Sequence, residues 1–188
     1  IIGLTGRAAS GKDTFCAIAT RLLAREKIPT ATIACADKLK EICAEVFETA
    51  YGIERRHFYG TQDDKNELLE QYSLGKWSGR RILQHIGTEG FRCIAPTVWS
   101  SYMFGAAQRE LRLGARVVFV SDVRFLNEAN TIQRNKGIIV RMKRPEADDP
   151  YTNQGIEGHS SEVELLSICE DFVLDNKGGP IEELEAKI

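Results

Sequence analysis

Ile1-Ile2-Gly3-Leu4-Thr5-Gly6-Arg7-Ala8-Ala9-Ser10-Gly11-Lys12-Asp13-Thr14 is the stretch whose reading decides the fold. A short apolar run leads into Gly6-x-x-x-x-Gly11-Lys12, and Phe15, Ile18, Ala19, Leu22 and Leu23 then recur at helical spacing. Strand, glycine-rich loop and helix in that order make a phosphate-binding P-loop. Gly6 and Gly11 allow a tight backbone with no Cβ in the way. Successive N–H groups then point into one concavity at the positive end of the helix. Lys12 adds a mobile full charge for the outer phosphates of a nucleoside triphosphate. An ordinary glycine-rich turn from strand to helix would give no reason for that lysine. One position departs from the common form, in which a Ser or Thr after the lysine places its hydroxyl on Mg²⁺. Here it is Asp13, with Thr14 next. Asp13 offers hard oxygen to a hard cation, directly or through water. Thr14 is placed for a phosphate contact one position further along.

Further strands and helices follow outward from this motif. A β-prone run at 30–34 precedes Ala36-Asp37-Lys38-Leu39-Lys40 and a helix with Leu39, Ile42, Cys43, Val46 and Phe47 on its apolar face. The segment 51–78 is polar and mixed, with one short helix expected near 66–72. It reads as an insertion over the end of the sheet, its charge a solvated face. Ser78 is an N-cap for a helix striped by Ile82, Leu83 and Ile86, and 96–112 is a further helix. Arg116-Val117-Val118-Phe119-Val120-Ser121-Asp122 is a buried strand ending in a carboxylate. Beside a P-loop, that carboxylate faces Mg²⁺ or its water shell; the other reading of Asp122 is a cap for the next helix. A helix at 127–135, a strand at 137–142, a long loop through 158, a strand at 172–174 and a helix at 181–188 complete the chain. Ser161-x-x-Glu164 has capping-box spacing.

This alternation predicts an α/β fold: a three-layer, mostly parallel five-stranded sheet with helices on both faces and right-handed crossovers. Ligands of such sheets bind beyond the carboxyl ends of the strands. Residues 6–14, Asp37, Asp122 and Arg144 all fall at that edge.

Composition narrows the function. The 188 residues carry 25 basic and 27 acidic side chains, a net charge of −2, which argues against a nucleic-acid polymer as partner. Arg outnumbers Lys, and arginine suits bidentate phosphate contacts. Cys16, Cys35, Cys43, Cys93 and Cys169 include no C-x-x-C pair and read mostly as reduced core thiols. With no signal peptide and no apolar run long enough for a membrane, a cytoplasmic location is expected.

Asn176-Lys177-Gly178-Gly179 lacks the final Asp of a guanine-reading Asn-Lys-x-Asp, which disfavours a GTPase. One domain has little to move as a motor, so a small-molecule kinase remains. A phosphate monoester, with a second pKa near 6, is already a competent nucleophile at neutral pH. Such an acceptor needs cations and water exclusion rather than a base. Lys12, Arg80, Arg81, Arg124 and Arg144, each near the end of an expected element, supply the cations.

In these pieces the chain resembles the deoxynucleoside monophosphate kinases best known from bacteriophages. The matching stretches are Ser10-Gly11-Lys12-Asp13-Thr14, Ala36-Asp37-Lys38-Leu39-Lys40 and Trp77-Ser78-Gly79-Arg80-Arg81-Ile82-Leu83-Gln84-His85-Ile86-Gly87-Thr88-Glu89. After them come Ser121-Asp122-Val123-Arg124-Phe125-Leu126-Asn127-Glu128, Lys143-Arg144-Pro145, His159-Ser160-Ser161-Glu162 and Asp175-Asn176-Lys177-Gly178. Their order from end to end is the specific feature. The resemblance implies transfer of the γ-phosphoryl of ATP, with Mg²⁺, to a deoxynucleoside monophosphate. It also implies one kinase domain over 1–188, with a monophosphate-binding insertion at about 51–79 and a lid-like loop at about 143–160. Gly6, Arg7, Ala8, Ala9, Ser10, Gly11, Lys12, Asp13 and Thr14 would hold the ATP phosphates, with Asp13 and Asp122 as metal candidates. Arg80 and Arg124 would grip the acceptor phosphate or the transferring group, and Arg144 would come from the lid side. Asn176, Lys177 and Gly178 would border the adenine. Asp37 would meet the acceptor or orient water and metal. The resemblance further suggests a homodimer.

Two other readings stay open: a P-loop kinase for another phosphorylated acceptor such as phosphomevalonate, and a nucleotide-binding regulatory module without catalysis. Arg81 reads equally as a surface pair, His85 as structural, and His159 as either a phosphate contact or a cap.

Overall fold

The computed structural model describes residues 1–145 and 164–188. Ser161, His159 and most of the lid-like loop therefore lie outside the described residues. Its contacts divide the chain into two units, Ile1–Ala34 with Ser100–Ile188, and Cys35–Trp99.

The first unit is built on five parallel strands: β1 Ile2–Thr5, β2 Thr30–Ile33, β3 Val117–Val120, β4 Ile138–Lys143 and β5 Phe172–Asp175, in the spatial order β2-β3-β1-β4-β5. Parallel strands need crossovers, and α1 (Lys12–Arg25) and α7 (Leu126–Arg134) supply two of them. The register sets Gly3 beside Val120 and Thr5 beside Arg141. Side-chain alternation along β1 and β4 separates the two faces. Leu4 and Val140 join Phe15, Cys16, Ile18 and Ala19 of α1 and Leu184 of the closing helix α8 (Ile181–Glu185) in one core. On the other face, Gly3 and its neighbour Ile139 meet Ile132 of α7: a Cβ on Gly3 would lie 2.7 Å from both side chains. Phe15 meets Phe119 edge-to-face at 6.2 Å, joining α1 to β3. Each fully buried side chain of this kind contributes about 1.5–3 kcal/mol, so the helix that carries Lys12 is fixed mainly by its apolar stripe.

The second unit holds α2 (Cys35–Tyr51), α3 (Arg56–Tyr59), α4 (Gln62–Asn66), a 3₁₀ turn at Glu70–Tyr72, and α5 (Gly79–Gln84), which runs on into a π-helical stretch, His85–Arg92. The helix α6 (Val98–Arg112) leads the chain back to the first unit. Cys43, Ala44, Ile53, Phe58, Leu69 and Ile82 form a core of their own. The polar reading of 51–78 is thus only half the picture. Ile53, His57, Phe58 and Leu69 are fully buried there, and the charges lie outside them. His57 Nδ1 donates to the Asp64 carbonyl at 3.2 Å, since a carbonyl can only accept. Thr61 caps α4, and its hydroxyl and backbone N–H, with Arg56, hold the Asp64 carboxyl down at about 2. Where the sequence suggests one helix at 66–72, α4 ends at Asn66 and a 3₁₀ turn covers Glu70–Tyr72.

Cys16 and Cys43 are buried free thiols, whereas Cys93 and Cys169 are free but exposed. No helix among the described residues is long and apolar enough to cross a membrane.

Candidate active site: a phosphate loop with cations and carboxylates

The loop leaves β1 through Gly6 and enters α1 through Gly11, with Ala9 held at φ 60° between them. Gly11 stands at the N-cap with φ 98° and no side-chain cap. An added Cβ there would lie 2.4 Å from Asn176 Nδ2, so both conformation and space require glycine. The loop is closed on itself by Lys12, which is buried. Its Nζ donates to the carbonyls of Gly6 at 2.8 Å and Arg7 at 2.7 Å, and to Ser10 Oγ at 3.4 Å. Ser10 is buried as well, while Arg7, Ala8, Ala9 and Thr14 remain partly or fully accessible. An ammonium that bridges loop carbonyls sits where it can exchange them for phosphate oxygens.

Asp122 follows β3 and stands beside the loop because Val123 N–H donates to the Leu4 carbonyl at 2.9 Å. Burial pushes the Cys16 thiol up to about 12, and Asp13 and Asp122 add to that rise while Lys12 opposes it. All three charges therefore lie within electrostatic reach of one thiol on α1. Asp13 is exposed in the first turn and Asp122 is half-buried. Two hard carboxylates by a phosphate loop fit Mg²⁺, which takes one or two carboxylates together with substrate phosphates.

The backbone at Arg124 is held by a residue the sequence reading passed over. Glu128 is 2 % exposed, and its Oε2 accepts from the N–H groups of Arg124 at 3.0 Å and Phe125 at 3.2 Å. Those bonds brace the turn before α7. The signal was present: a Glu three residues after the helix start has capping-box spacing. Glu164 accepts from Leu126 N–H at 3.3 Å, binding the same turn from the far side of the long loop.

Arg141 is a second missed residue, buried on β4. It donates to Glu170 at 2.9 Å and to the carbonyls of Leu165 and Ile168. Burial works against the charge on Glu170, but the Arg141 hydrogen bond prevails and holds its carboxyl below the usual range.

Arg144, Asn176, Lys177 and Gly178 follow the carboxyl ends of β4 and β5. Asn176 turns its side chain toward the phosphate loop, with Nδ2 donating to the Ser10 carbonyl at 3.0 Å. Lys177 is exposed. Arg144 lies against Gly178, where an added Cβ would be 3.1 Å from its guanidinium. Lys12, Asp13, Asp122, Arg124, Arg144 and Asn176 all belong to the first unit.

Asp37, Arg80 and Arg81 belong to the second. Asp37 is largely exposed and pairs with Lys40 at 2.9 Å. Ser78 caps α5, its Oγ accepting from Arg81 N–H at 3.4 Å. Arg80 opens that helix and donates to Gln62 Oε1. One turn on, Gln84 keeps a buried amide oxygen with no partner among the described residues. Arg81 is exposed and donates to the Lys76 carbonyl at 2.7 Å, the surface role. His85 pairs with Glu89 at 2.7 Å and lies edge-on to Trp77.

A parallel sheet of this order, with helices against it and a phosphate loop on its central strand, defines a P-loop α/β protein. No protein-family model matches the sequence. A protein of Acanthamoeba polyphaga mimivirus named "Putative deoxynucleotide monophosphate kinase" is 32% identical over 202 aligned residues, covering 100% of this chain and 93% of its own. The chain belongs to the deoxynucleotide monophosphate kinase family. Among solved structures, TT1252 from Thermus thermophilus is 21% identical with a TM-score of 0.47, over 98% of this chain and 91% of that one. Shikimate kinase from Acinetobacter baumannii in complex with shikimate is 11% identical with a TM-score of 0.46, over 99% and 88%.

Proposed function

We propose that the protein transfers the γ-phosphoryl group of ATP to the 5′-phosphate of a deoxynucleoside monophosphate, giving ADP and the diphosphate. The observation that carries this reading is the loop itself. Lys12 and Asp13 open α1, Lys12 lies on the loop carbonyls, and Asp122 follows β3, the strand beside β1, in a chain that matches a kinase of that name over its whole length.

The acceptor monoester needs no general base, because its second pKa lies near 6. Catalysis is then positioning plus charge neutralisation. Residues 6–14 receive the donor phosphates, with Lys12 on the outer ones. Residues 176–178 border the adenine. Arg124 and Arg144 hold charge on the transferring group. Arg80 takes the acceptor phosphate and Asp37 the acceptor or its water, and the insertion at about 51–79 is the monophosphate-binding part. Asp13 and Asp122 would hold Mg²⁺, which when bound neutralises charge on the phosphates. The reaction belongs with the nucleotide pools of the cytoplasm, and a homodimer is the assembly expected.

A coupled ADP-release assay across dAMP, dCMP, dGMP and dTMP tests the reading. Turnover with at least one is expected. Turnover only with a non-nucleotide phosphate, or ATP binding without turnover, rejects it. Arg124→Lys should lower kcat about a hundredfold with the melting temperature unchanged. The loss is smaller than the ~10³–10⁵ of a whole arginine finger because lysine keeps the charge but not the fork. Parent-like kinetics would remove Arg124 from the site.

A further inference from the structure

We propose that Asn176 is a positioning residue that ties the phosphate loop to Arg144, so that the donor phosphates meet Lys12 and Arg144 at one fixed spacing. This rests on the reading of Arg144 as a donor-phosphate ligand.

Both ends of the Asn176 amide are engaged within the chain. Nδ2 donates to the Ser10 carbonyl at 3.0 Å, and Oδ1 accepts from Gly178 N–H at 3.2 Å. The orientation follows from the partners: a backbone carbonyl can only accept and an N–H can only donate, so the flipped amide would fail at both. The backbone is fixed too, since Asn176 N–H donates to the Lys143 carbonyl at 2.7 Å, next to Arg144. The bare α-carbon of Gly11 admits the amide from one side, and the Arg144 guanidinium covers Gly178 on the other. One continuous path therefore runs from Ser10 and Gly11 through Asn176 and Gly178 to Arg144.

This assignment changes what Asn176 does. With one donor and one lone pair of its amide used internally, the Asn176 side chain is committed in orientation to the loop and to Gly178, and bordering the adenine falls first to the backbone of 176–178 and to Lys177. Asn176 acts on the donor through the loop on one side and through Arg144 on the other. No other side chain of similar size both donates to one carbonyl and accepts from one N–H across that gap. Aspartate would keep the bond to Gly178 but set a carboxylate against the Ser10 carbonyl and beside the phosphates.

The test is a double-mutant cycle on ATP affinity, measured by calorimetry on the full chain without acceptor, using Asn176→Ala, Arg144→Ala and the pair. Asn176→Ala alone should weaken ATP about three- to tenfold, the scale of one or two neutral hydrogen bonds. In the Arg144→Ala background the same change should cost less than about twofold, since coupled residues are not additive. Equal losses in both backgrounds overturn the proposal, because Asn176 would then act on the loop or the fold alone. Asn176→Asp should bind ATP more weakly than Asn176→Ala, and the reverse order also overturns it. If Asn176→Ala does not fold, Asn176→Ser takes its place in the same cycle, judged by the same comparison. Acceptor plays no part in this measurement. A failed monophosphate panel therefore leaves the coupling standing, and an additive cycle leaves the panel standing.

Discussion

Lys12→Ala is expected to lower kcat by about 10²–10³, the loss seen when one preorganised donor to developing charge is removed. Two effects combine. The charge meant for the outer phosphates disappears, and so do the bonds from Nζ to the Gly6 and Arg7 carbonyls and to Ser10 Oγ. A carbonyl left without its donor costs about 1–3 kcal/mol where water cannot replace it. ATP affinity and stability should therefore fall together, the second by about 1–2 kcal/mol since the loop is partly solvated. Initial rates and a thermal melt separate the two. Retention of most of the activity would refute the phosphate role of the loop.

The second large effect is expected at Gly79→Ala, where two rules of opposite sign compete. Glycine in a helix is about 1 kcal/mol worse than alanine, so propensity alone predicts a more stable protein. Geometry predicts the reverse: a Cβ on Gly79 would lie 1.8 Å from the His57 carbonyl oxygen and 2.6 Å from its carbon. Those are backbone atoms, so no rotamer change relieves the clash. Either α3 or α5 must retreat, parting Phe58 from Ile82 in the core they share. Overpacking of this kind costs about 1–3 kcal/mol and occasionally more. Contact this short belongs at the top of that range, so steric cost wins. At about 2–4 °C per kcal/mol for a chain of this size, the melting temperature should fall by roughly 5–10 °C. A melt unchanged or raised would show that the crossing of α3 and α5 is not tight.

The parts of this molecule that the sequence announces are those where local chemistry and global fold agree. Gly6, Gly11 and Lys12 carry their geometry in their spacing. The apolar run 117–120 before Asp122 declares both its burial and its direction. β5 was legible as a strand although Phe172 and Val173 remain exposed, because β-branched and aromatic residues mark strands whether or not both faces are covered. What stayed hidden depends on partners far along the chain. Arg141 reads as one charge inside a strand; its role comes from carbonyls 24 and 27 residues later. Asn176 lies 166 residues from the loop carbonyl it braces, a separation no periodicity records. Residues 51–78 lacked a 3.6-residue pattern because α3 and α4 are each about one turn long, so Ile53, Phe58 and Leu69 looked isolated. Their common core exists only once the turns between them have closed.

The cysteines have a practical consequence. Burial raises Cys16 to about 12 and Cys43 to about 11, so thiolate-seeking reagents reach them slowly. In a Cys35→Ser background, the exposed thiols Cys169 on the first unit and Cys93 on the second remain for labelling. A donor dye on one and an acceptor on the other, attached to natural side chains, would turn any rearrangement of the two units during turnover into a change in energy-transfer efficiency.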